Sequence, residues 1–160
     1  MATVDAGDPV LRIPDTSLRE ATQRVAPTDS TNARRRKFPR YPFQVPEGVV
    51  AEFAHPGGTR STVVVAARDL SAGGIGLFHG GFVYEGTPCT IKLKALDGEF
   101  VLARGVVVRS RQVHSRIHDI GVKFSAPIEI ELFVHAPHRS APAANDAALH
   151  SPDTGAEKLD

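Results

Sequence analysis

Between residues 42 and 126 runs rich in β-branched and apolar residues alternate with short breaks, four of the five bearing glycine. The runs are "PFQVPEGVVAEF" (42–53), "TRSTVVVAARDL" (59–70), "IGLFHG" (75–80), "TPCTIKLKAL" (87–96), "EFVLARGVVVRSRQV" (99–113) and "RIHDIGVKFSA" (116–126). Val, Ile, Thr and Phe in alternation predict half-buried strands. Asp97-Gly98 between two alternating runs is the strongest hairpin signal in the chain, and "HPGG" (55–58) supplies a second turn. Six strands with short links and no long helix between them exclude a parallel α/β sheet. They predict an all-β antiparallel barrel or sandwich, of which a closed barrel would remove exposed strand edges. The run "APIEIELFVHA" (126–136) fits both an alternating strand and a short C-terminal helix, and is left open.

The flanks differ from this middle. Residues 1–32 carry three Lys/Arg against five Asp/Glu and residues 136–160 two against four, whereas 33–135 carry fourteen against nine. The tail "PHRSAPAANDAALHSPDTGAEKLD" has almost no large apolar residues, so burial there would not offset the entropy of ordering, and 136–160 is expected to be disordered. The leader, 1–32, is expected to be flexible. Within it "TSLREATQRV" has a Ser start, Glu20 three residues after Ser17, and Leu18, Ala21 and Val25 near helical spacing, compatible with a short helix. The barrel domain is therefore placed at 33–135. No basic start followed by an apolar run and no 18 consecutive apolar residues occur, so no signal peptide or membrane span is expected; with one cysteine, Cys89, the expected location is the cytoplasm.

Two stretches carry chemistry. "ARRRKFPR" (33–40) holds five cations at the border of the leader, and Phe38-Pro39 and Tyr41-Pro42 bias it toward extended backbone, which would set Arg36 and Arg40 about 13 Å apart. "RDLSAGGIGL" (68–77) places Asp69 and Ser71 two apart at the end of a strand, on one face, followed by Gly73-Gly74, whose bare backbone lets the chain turn sharply or come close to a ligand. Alone, the second stretch also fits a simple turn in which Asp69 and Ser71 bond local N–H groups.

Arg36 with Arg40 four residues on, then Asp69, Ser71 and Gly74 about thirty residues later, and a last strand ending in Gly121-Val122-Lys123-Phe124, together resemble the PilZ domain family of bacterial cyclic-di-GMP receptors. The likeness spans residues 34 to 125 and implies that the six strands form an antiparallel β-barrel of the split-barrel type. It implies a ligand of two phosphates and two guanines held by Arg36, Arg40, Asp69, Ser71 and Gly74, with Gly73 in support and Arg35 placed to stack on a base. It also implies an arginine arm that orders over the ligand and hands the signal to an unidentified protein partner. The chemistry agrees: a guanidinium bonds phosphate or a guanine edge in bidentate fashion and stacks on bases, and a carboxylate accepts from guanine N1–H.

Other readings fit less. His114 and His118 would share a helical face as a metal pair, but the surrounding residues pattern as strands, so no metal or cofactor is expected. Cys89 has apolar neighbours and reads as a small core residue. No nucleophile elbow, Walker-type loop or paired-carboxylate constellation appears, so the chain is not expected to be an enzyme. Arg104, Arg109, Arg111 and Arg116 are expected on one end of the last two strands, as a solvated face or, alternatively, as a secondary ligand or partner contact. Two alternatives remain: an adaptor of the same family that binds no nucleotide, and a nucleic-acid-binding barrel. The second is weakened by having no Trp and only two Tyr for stacking.

Overall fold

The computed structural model describes residues 14–25 and 36–135. The expected disorder of 136–160, the expected flexibility of most of the leader, and Arg35 lie outside the described residues. Seven antiparallel strands are present: β1 (Arg40–Pro42), β2 (Val49–Ala54), β3 (Arg60–Ser71), β4 (Gly74–His79), β5 (Pro88–Lys94), β6 (Phe100–His114) and β7 (Ile117–Phe124), with one α-helix, α1 (Asp15–Val25). Neighbours run β3-β2-β5-β6-β7-β4, and β4 pairs back onto β3, so the six strands close into the expected barrel. The extra strand, β1, was not anticipated as a strand of its own. At three residues bounded by Pro39 and Pro42 it is too short to show a period, and it exists because β3 is long. β2 pairs with residues 60–65 of β3, and β1 takes residues 69–71 on the same edge.

The alternation in the sequence becomes the inside and outside of the barrel. On β5, Cys89, Ile91 and Leu93 point inward and Lys92 and Lys94 outward. Phe53, Leu70, Leu77, Ile91, Leu93, Val107 and Ile120 are fully buried together, each contributing roughly 1.5–3 kcal/mol by leaving water. The Asp97-Gly98 turn forms as expected: Gly98 has φ 92°, Ala95 N–H donates to Glu99 O at 2.7 Å, and Glu99 N–H donates to Asp97 Oδ1 at 2.9 Å.

Of the 126–136 run, residues 126–135 are described, and they form neither strand nor α-helix but contain a 3-10 turn, Ile130–Leu132. Ile130 and Phe133 are buried in the core, anchored by Ile128 N–H to Ala72 O (2.9 Å) and Leu96 N–H to Leu132 O (2.8 Å). The segment is therefore packed into the barrel core.

Helix α1 lies on the outer wall. Phe78 breaks the alternation of β4 by being apolar on the outer face; it is 1% exposed because Ala21 and Leu18 cover it, together with Ile117, Ala66 and Val113. The helix starts at Asp15, just ahead of the expected Ser/Thr start at Thr16-Ser17. Glu20 consequently serves not as a capping residue but as a partner of His114, Oε2 to Nε2 at 2.9 Å.

Candidate functional site

Pairing of β1 with β3 sets the two polar stretches side by side, with Arg40 opposite Ser71 and Pro42 opposite Asp69. Arg40 Nη1 stands 3.4 Å from Asp69 Oδ1. A bulge between Ala67 and Asp69 leaves Arg68 without a partner on β4. Arg68 Nε lies 2.9 Å from Asp69 Oδ2. One carboxylate thus lies between a guanidinium from the arm and one from the barrel.

Away from Asp69, a single cross-strand row crosses four strands: Asp69 on β3, Gly76 on β4, Gly121 on β7 and Arg109 on β6. The space of the missing side chains is filled by arginines. A Cβ on Gly76 would fall 2.7 Å from Arg68 Nη2 and 2.9 Å from Arg68 Nε, and one on Gly121 would fall 3.3 Å from Arg109 Cβ. Both guanidiniums converge on Asp119, whose Oδ2 is 3.0 Å from Arg109 Nη2 and whose Oδ1 is 3.5 Å from Arg68 Nη1. Asp119 is 1% exposed, and the contacts meet in distance but not in angle: neither of its oxygens has an aligned hydrogen-bond partner, nor do Arg68 Nε and Arg109 Nε. The ion-pair distances define the arrangement, and the poor angles mark the same groups as incompletely satisfied.

The remaining residues singled out in the sequence are placed as follows. Ser71 is 6% exposed, and its hydroxyl donates to Gly74 O at 3.2 Å, the local bond of a turn. Gly73 faces the arm: a Cβ there would sit 2.7 Å from Cδ2 of Phe38. Gly74 faces β7, where a Cβ would sit 2.3 Å from Val122 O. The bare backbone of Gly73-Gly74 therefore admits protein neighbours, the arm on one side and a strand on the other. Arg36 is half-buried and within electrostatic reach of Arg40.

The cations outweigh the acids. The pKa of Arg40 is lowered first by burial, against which Asp69 raises it, and then by the neighbouring charges of Arg36, Arg109 and Arg68. Four guanidiniums crowding two carboxylates leave a positive face suited to an anion.

Arg109 departs from the expectation of a solvated face, since it is tied to a buried acid; Arg104, Arg111 and Arg116 are exposed. Arg68 and Asp119 were not singled out at all. Their only trace in the sequence is an acid set among apolar residues in "RIHDIGV" and a cation directly before Asp69. Cys89 is buried, which pushes its thiol up to about 11. His114 and His118 sit on the two strands of one hairpin, and no group of three His, Cys, Asp or Glu suited to a metal occurs among the described residues.

Residues 34–135 match the model of the PilZ domain family. No curated protein matches the chain.

Proposed function

The chain belongs to the PilZ domain family of binding and adaptor modules, and from that premise we propose that it is a cyclic-di-GMP receptor that converts binding into a signal to a protein partner. The observation that carries this reading is the Arg40–Asp69 pair at 3.4 Å, set among Arg36, Arg68 and Arg109. The dinucleotide has two phosphates and two guanines, and this face offers both kinds of recognition. Arg36 and Arg40 supply planar donors for phosphate or the guanine O6/N7 edge. Asp69, released from Arg40, accepts from guanine N1–H and the amino group.

Ser71 takes a ligand oxygen by turning its hydroxyl from Gly74 O, and Gly73 and Gly74 assist by letting the arm and β7 close in. Arg35 stacks on an exposed base. A charge-assisted hydrogen bond adds about 1.5–3 kcal/mol and a stacked base about 1–3 kcal/mol, so a few such contacts reach micromolar affinity. Among the described residues no helix is long and apolar enough to cross a membrane, and the proposed setting is the cytoplasm. In this role the protein catalyses nothing and needs no cofactor.

The test is calorimetric titration of the full chain with cyclic-di-GMP, cyclic-di-AMP and a single-stranded oligonucleotide at moderate salt. Selective binding of the first is expected. Equal binding of the oligonucleotide would point instead to a nucleic-acid-binding barrel, and no heat with any of them to a nucleotide-independent adaptor.

A further inference from the structure

Resting on the reading of this face as the dinucleotide site, we infer that Arg109 is a further ligand-contacting residue, outside both motifs, and that the buried Asp119 is the positioning residue that aims it at a phosphate. Asp69 and Arg109 end the same four-strand row, with Gly76 and Gly121 between them. At about 4.8 Å per strand the row is about 14 Å wide, the scale of a nucleotide lying across it. Arg109 closes the side of the face opposite the arm.

Its side chain is held for that purpose. Gly121 lends it the space a side chain would fill, with Arg109 Cζ 3.7 Å from the Cβ position. Asp119 fixes Nη2 at 3.0 Å from below, and Nε is buried. Nη1 is left as the donor for a ligand on a side chain that is still 36% exposed. A buried carboxylate is unfavourable unless it is matched by cations. Here two arginines match it, yet neither oxygen is aligned with either, so the carboxylate orients the guanidiniums without saturating them. The charge of Arg109 also reaches Arg40 across the face, so an anion lying between the two relieves their mutual repulsion.

Binding of cyclic-di-GMP by full-chain variants tests the assignment. Arg109→Ala is expected to weaken binding roughly tenfold to a hundredfold, the range for a lost charged hydrogen bond, and Arg109→Lys to recover only part of it, because one ammonium nitrogen cannot face Asp119 and the ligand at once as the two guanidinium ends do. Arg111→Ala removes the same charge two residues along the same strand, from a side chain with no ion pair among the described residues, and is expected to leave affinity within about twofold. Asp119→Asn is expected to weaken binding in the wild-type chain and to weaken it less when Arg109 is already Ala, when only its contact with Arg68 is left to act, a coupling that general destabilisation does not produce.

Wild-type binding that is unchanged in Arg109→Ala, or lowered equally by Arg111→Ala, overturns the inference and leaves the receptor reading intact. Additive losses in the double variant overturn the role of Asp119. If Asp119→Asn does not fold, the Arg109 series alone decides. Absence of wild-type binding removes the receptor reading and the inference with it.

Discussion

Arg40 and Asp69, 29 residues apart in the chain, meet at 3.4 Å because a three-residue strand occupies the stretch of β3 that its longer neighbour leaves unpaired. Over a third of the Arg40 side chain is open to solvent, and ion pairs of this kind add little to stability. Replacing Arg40 by Ala is therefore expected to change unfolding free energy by less than about 1 kcal/mol, measured by urea titration. The same change should lower affinity for cyclic-di-GMP roughly tenfold to a hundredfold. A large loss of stability with unaltered affinity would count against the site.

The adjacent glycines separate in their effects. Gly73→Ala brings a methyl to 2.7 Å from the Phe38 ring, which a side chain at the end of an arm is able to avoid. It should weaken ligand binding with little loss of melting temperature, and Phe38→Ala in the same chain should restore part of the affinity. Gly74→Ala meets Val122 O at 2.3 Å, a backbone atom inside the barrel wall. The expected cost is about 1–3 kcal/mol of folding stability. Parallel melting curves of the two variants decide the matter.

Cys89 is protected by burial. Its thiol is pushed from the ordinary 9.0 to about 11, so the folded protein should react with thiol reagents at pH 8 far more slowly than the urea-unfolded chain. The folded state holds this proton more tightly than the unfolded one. The contribution is accordingly complete below pH 9 and is lost as pH rises toward 11. Cys89→Ala should flatten that part of the stability profile.

Ala21 is completely buried beneath α1, against Phe78 and Ile117. Ala21→Glu places a charge in that contact and should release the helix while the barrel stays folded. Trypsin should then cut at Arg19 and Arg24 much faster than in the parent chain, and the strand signal in circular dichroism should hold. Simultaneous loss of the strand signal would mean that the helix is integral to the barrel.

The strands of the barrel were readable because β-branched alternation and glycine turns are local signals, and Asp97-Gly98 formed the expected hairpin. Phe78 shows where local reading ended. Leu77 and Phe78 in succession break the alternation, and only the docked helix explains why both are buried. Arg68 and Asp119 escaped notice for a related reason. A bulge turned Arg68 onto the same face as Asp69, and β4 and β7 had to pair before Asp119 could lie beneath two arginines from other strands. Of the motif residues, Arg40 and Asp69 are the pair the structure brings into contact. That Gly73 and Gly74 accommodate protein neighbours follows only from the tertiary packing.

The barrel closes through β3 and β4 whether or not β1 is in place. Detaching the arm exposes three residues of strand edge and leaves every barrel pairing intact, so docking of the arm and global unfolding are separate equilibria. Amide protons shared by β1 and β3 should exchange with solvent on a schedule of their own. A protein that recognises this stretch of the β3 edge, residues 69–71, would then find it only while the arm is away.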